Sequence, residues 1–187
     1  MRFNTFILMS GVALALCACN RGNDQTTIDA TNATVDNAIV ANTAAAPTTA
    51  QDFANAAAAS DRFEIDSSKL AASSAGSSAV KDFAMQMVTA HTSSSAKLKS
   101  AVAGMNPPVT PSDTLNAEQQ QQLDSLKGKK GADFDSAYAA AQVAAHQAAL
   151  DALNDYAASG DNAALKDLAR GMIPTVTAHL NMAKGLK

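Results

Sequence analysis

Apolar residues return at the three- and four-residue steps of a helix in four stretches of the chain, and helix-stopping residues separate them. The cleanest stretch lies at about 78–103, where Val80, Phe83, Met87, His91, Leu98 and Val102 fall on one face. His91 is the one ionisable group in that stripe. Ahead of it, at about 52–75, Phe53, Ala57, Ser60, Glu64, Ser67 and Ala71 share a face that Phe63 and Leu70 widen. Gly76 parts these two helices, with Ser77 or Ser78 placed to cap the second. A third helix is predicted over about 133–158. Phe134, Tyr138, Ala141, Ala145, Ala149 and Ala152 lie on one of its lines, and Val143, His146, Leu150 and Leu153 on the next. Gly160 ends it, and Asp161 is placed to cap a fourth, over about 161–185. The fourth stripe is Leu165, Leu168, Met172, Val176, His179, Ala183 and Leu186. Pro174, close after Gly171, predicts a kink and leaves the Arg170 carbonyl without its helical partner.

Each amphipathic helix must bury its stripe against the others, so the pattern predicts a bundle. The tight turn at Gly76 makes the first two helices antiparallel neighbours. The next connection is different. Gly104, Pro107, Pro108 and Pro111 end the second helix, and a short polar helix then runs from Thr114 or Asp113 to Lys127. Leu115, Leu123 and Leu126 are its anchors, and Gly128 and Gly131 bracket its end. A link of about 28 residues is unusual inside a compact domain. Running back along the bundle, it lets the third long helix lie parallel to the second, the ferritin-type crossover. The fold expected is therefore all-α: a ferritin-like four-helix bundle over 52–187, with a long crossover that contains a short helix.

Composition agrees with this and trims the domain. The chain has 187 residues and is 47% hydrophobic, yet only 4% aromatic. An Ala-rich apolar fraction favours helices that approach closely. Residues 20–50 carry Ala, Thr, Asn and Asp without a stripe or an aromatic, a composition that cannot offset its ordering entropy. This segment reads as part of a flexible tether, 19–51. Before it, Arg2 and an apolar run from Phe6 to Leu16 read as a signal peptide, 1–18, too short to span a bilayer. Its end, Leu16-Cys17-Ala18-Cys19, resembles the bacterial lipoprotein motif. That resemblance implies lipidation of Cys19 and cleavage before it; Cys17 fits worse because Leu16 would precede the cut. Two or three acyl chains give stable anchoring. Asn20 follows in place of an Asp, which points to the outer membrane, facing the periplasm. Both cysteines lie here, so the domain has no thiol for a disulfide, a thiolate metal site or a nucleophile. A net charge of −3 without a basic run excludes a nucleic-acid footprint.

The chemistry the stripes carry is histidine. His91, His146 and His179 are all the histidines of the chain, one on each of three predicted helices, on or beside its apolar face. If their depths agree they meet in the core, with Glu64 as a fourth, anionic ligand. Three imidazoles and a carboxylate suit Zn, Cu or Fe. The blander expectation is that each histidine bonds a carbonyl or carboxylate and fixes packing, with Glu64 paired at the surface to Lys69 or Lys81. Ring separation divides the two readings, because imidazoles more than about 8 Å apart cannot share an ion with bonds of about 2 Å.

The segments DRFEIDSSKLAASSAGSSAVKDFAMQMVTAH (61–91), GADFDSAY (131–138), AAHQAAL around His146 and LARGMIPTVTAHLNMAKGL (168–186) together resemble the bacterial exported family known as domain of unknown function 4142. The resemblance covers about 52–186. It implies a ferritin-like bundle, often secreted or lipid-anchored, without an established activity, and it places a recurring acid on Glu64 and histidines on His91, His146 and His179. The family usually has an Asp before the second-helix histidine, where this chain has Ala90, which implies a weaker site here. The Glu-x-x-His pairs of di-iron oxidases are absent: Val88 and Val176 stand three residues before His91 and His179. No nucleophile elbow or phosphate loop is present either. The functional expectation is an envelope protein, not an enzyme, that binds an unknown protein partner or serves in stress adaptation. The alternative is a periplasmic metal-binding bundle.

Overall fold

The computed structural model describes residues 46–186. The signal peptide, Cys19 and nearly all of the tether lie outside the described residues. Among those described there are five helices and no strand: α1 (Ala50–Ser74), α2 (Ser78–Val102), α3 (Ala117–Lys127), α4 (Gly131–Ser159) and α5 (Ala163–Gly185).

Side-chain pairings fix the directions. Along α1, Phe53 stacks on Tyr156, Ser67 meets Gln142, Ser68 meets Tyr138, and the Gly76 amide beyond its end meets Asp135. Numbers rise on α1 as they fall on α4, so the two are antiparallel. Short turns make α1–α2 and α4–α5 antiparallel hairpins, which sets α2 parallel to α4. The crossover between them follows α1 along its length. Gln51 exchanges hydrogen bonds with the Thr110 backbone, Asn55 accepts from the Ser112 amide, Arg62 pairs with Asp113, and Lys130 donates to Ser74. The long return predicted from the proline-rich link is present, with α3 packed on α1.

The helix ends differ in detail from the predicted ones, each for a local reason. Helix α1 starts at Ala50, two residues ahead of Asp52, because Thr49 caps it, its hydroxyl accepting from the Asp52 amide. No serine hydroxyl caps α2; Asp135 of α4 accepts from the Gly76 and Ser77 amides instead. Gly76 lies so close to Gly131 that a Cβ there would stand 3.1 Å from its Cα. The short helix starts at Ala117 instead of at 113 or 114, because Asn116 and Gln119 form a capping box. Asn162 caps α5 in place of Asp161, which accepts from the Tyr156 hydroxyl. Helix α5 runs on through Pro174, which lies on its exposed side.

The predicted α2 stripe is buried at every position. On α4 the inner face is Phe134, Asp135, Tyr138, Gln142, His146, Leu153, Tyr156 and Ala157, so it runs between the two predicted lines and takes in a glutamine. Two apolar clusters result. One gathers Phe53, Leu98, Tyr156 and Leu165 at one end of the bundle, and the other Val80, Phe83, Phe134 and Ala183 at the opposite end. On every long helix the residues between the two clusters include buried polar ones: Asp61, Glu64 and Ser67 on α1, His91 on α2, Gln142 and His146 on α4, and His179 on α5.

Candidate metal centre

That polar layer is where the histidines meet. Each sits one to two turns from an apolar anchor on its own helix, at a depth set by the packing of both clusters. The ring centroids are 5.6 Å apart for His91–His146, 5.9 Å for His91–His179 and 5.5 Å for His146–His179. All three separations fall inside the limit for a shared ion. One nitrogen from each ring lies within 4.8 Å of the others. A tetrahedral ion with bonds of about 2.0–2.1 Å sets its nitrogens about 3.4 Å apart, so holding one here would require the widest pair to close by no more than about 1.4 Å.

Hydrogen bonds fix which nitrogens face inward. His91 Nδ1 lies 2.8 Å from Asp61 Oδ1 and His146 Nδ1 2.8 Å from the Gln142 carbonyl. An ionised carboxylate and a carbonyl only accept, so both Nδ1 atoms carry protons. The lone pair of each neutral ring is then on Nε2. His91 Nε2, His146 Nε2 and His179 Nδ1 are buried without a hydrogen-bond partner among the described residues. Such groups are rare and costly, about 1–3 kcal/mol each. The arrangement has the form in which a carboxylate or carbonyl orients a metal-binding imidazole from behind.

Glu64 is buried beside the histidines. Its Oε1 is 3.6 Å from His146 Nδ1, the nitrogen already bonded to the Gln142 carbonyl, and both carboxylate oxygens lack a hydrogen-bond partner among the described residues. It stands next to the three histidines but outside the set whose nitrogens converge. Two residues with clear roles went unnamed in the sequence reading. Asp61 orients His91 and also accepts from Ser95 Oγ at 3.0 Å, so it supplies from α1 the carboxylate whose loss Ala90 implied. Gln142 orients His146 through its carbonyl, donates its amide to Ser67 and leaves its Oε1 unpartnered. The signal for Asp61 was its spacing of three from Glu64, which turns both acids to the inner side of one helix.

Burial dominates the electrostatics. It pushes Glu64 up to about 7, opposed by the charge of His91. It lowers His146 to about 4 and His179 to about 4, with His91 adding to both shifts. Burial pulls His91 down as well, but the Asp61 hydrogen bond and the charges of Glu64 and Asp61 outweigh it, and its net direction is up. Two imidazoles, His146 and His179, are thus neutral donors at neutral pH.

No curated protein and no solved structure matches the chain. A family model does, from residue 36 to residue 186, over the whole bundle and part of the segment before it. The chain belongs to the family described as Domain of unknown function (DUF4142).

Proposed function

We propose that this bundle binds one transition-metal ion through His91, His146 and His179, and buffers or senses that ion at a bacterial envelope membrane. The observation that carries the reading is the convergence of three buried histidines, each with one ring nitrogen that lacks a hydrogen-bond partner among the described residues. Packing alone would leave each lone pair uncompensated, whereas a cation satisfies all three at once. Neutral nitrogen donors backed by a carboxylate and a carbonyl suit Zn, Cu(II) or Fe(II). With Cys19 as lipid anchor and 19–51 as tether, the domain would stand in the periplasm, held to the outer membrane. The lipoprotein-like run before Asn20 supports that placement. Among the described residues no helix is long and apolar enough to cross a membrane.

Elemental analysis of the purified full chain tests the metal reading. One ion per chain is expected, lost in His91→Ala and in His179→Ala. Failure to retain metal after exposure to Zn, Cu and Fe, with the chain folded, would sink it.

A further inference from the structure

The same layer shows what completes the ion's coordination, an inference that rests on the metal reading above. Once the three imidazole nitrogens take the metal, three buried unpartnered atoms remain: Glu64 Oε1, Glu64 Oε2 and Gln142 Oε1. All three are oxygen atoms able to accept a hydrogen bond. Glu64 approaches the cluster at His146 Nδ1, the ring atom turned away from the converging nitrogens, at 3.6 Å. The Gln142 amide nitrogen donates one N–H to Ser67, and its Oε1 is buried without a hydrogen-bond partner among the described residues. A water molecule bound to the metal has two O–H donors, and these acceptors are their partners.

We propose that the fourth coordination position is an exchangeable one, held by a water that donates to Glu64 and Gln142, and open to small inorganic anions. Glu64 is then a positioning residue and not a ligand. Three protein ligands with a solvent-derived fourth are the mark of reactive zinc-type centres, whereas purely structural sites are closed by four.

Cobalt(II) and azide test this on the purified full chain. The ligand-field bands of the bound cobalt are expected to shift, saturably, as azide displaces the water. Glu64→Gln should keep one cobalt per chain and bind azide about tenfold more tightly, because a carboxylate that repels the anion is replaced by an amide; outer partners of metal sites act at about this scale. If azide leaves the wild-type bands unmoved and shifts only those of Glu64→Gln, then Glu64 itself fills the fourth position and the proposal is overturned. The wild-type titration decides the point even if the variant does not fold. A wild-type chain that takes up no cobalt fails earlier, and removes the metal reading with it.

Discussion

Asp61 decides how His91 is presented. Its carboxylate holds the Nδ1 proton on one side and the Ser95 hydroxyl on the other, so the ring is fixed with Nε2 turned inward. Asp61→Asn keeps the volume, removes the charge and lets the amide turn its donor toward Nδ1. We expect metal affinity to fall about 10–100-fold with the chain still folded. Competition with a chelator of known affinity measures this, and unchanged affinity would mean that Asp61 has only a packing role. At this scale the histidines were legible because each fell on or beside an apolar stripe. Asp61 was not. The run Asp61-Arg62-Phe63-Glu64 offers each acid a neighbouring cation, and only the position of α2 shows that Asp61 is 3% exposed while Arg62 pairs outward with Asp66. Gln142 was missed for a related reason: alanines surround it, and their small side chains leave the inner line of α4 undefined by pattern alone.

The helices find their depth through aromatic and glycine contacts at the ends of the bundle. Phe53 and Tyr156 stack with centroids 4.1 Å apart and planes 15° apart, and Tyr156 reaches Asp161 past the end of α4. Gly160 lets the chain turn tightly over that ring. A Cβ there would lie 2.6 Å from two atoms of the Tyr156 ring and 2.7 Å from its carbonyl oxygen. The ring is fully buried and cannot swing away. Gly160→Ala is therefore expected to cost about 1–3 kcal/mol by overpacking, read as a shift in the denaturation midpoint. The glycine was legible as a helix stop; the contact that makes it specific was not, because it depends on how α1 meets α4. Helix existence and type were legible throughout, since periodic stripes and Gly or Pro stops act locally. Caps were less so. Asp161 and Asn162 are equally good caps by chemistry, and the Tyr156 hydroxyl claims the first.

Across the molecule, a polar layer divides the apolar core in two, and every long helix contributes to it. His91 comes from the α1–α2 hairpin, and His146 and His179 from the α4–α5 hairpin, so one ion would join the two halves of the bundle. The crossover makes this geometry reachable, because setting α4 parallel to α2 and antiparallel to α1 places His146 against both Glu64 and His91. That connectivity followed from the length and prolines of residues 104–130. The agreement in depth did not, since it rests on interhelical packing that no single stripe encodes. The placement of the chain is a separate matter at this scale. If lipid on Cys19 holds it to the envelope, Cys19→Ser should move the protein from the membrane fraction to the soluble fraction on cell fractionation. Retention of the variant on membranes would assign the anchor elsewhere.

X-ray absorption at the metal edge of the zinc-loaded full chain tests the central claim most directly, because it reports the atoms around the ion. We predict three imidazole nitrogens at about 2.0–2.1 Å, with the multiple-scattering pattern of intact rings, and a single oxygen completing the shell. A shell of oxygens without imidazole scattering would place the ion on surface carboxylates and contradict the assignment of His91, His146 and His179.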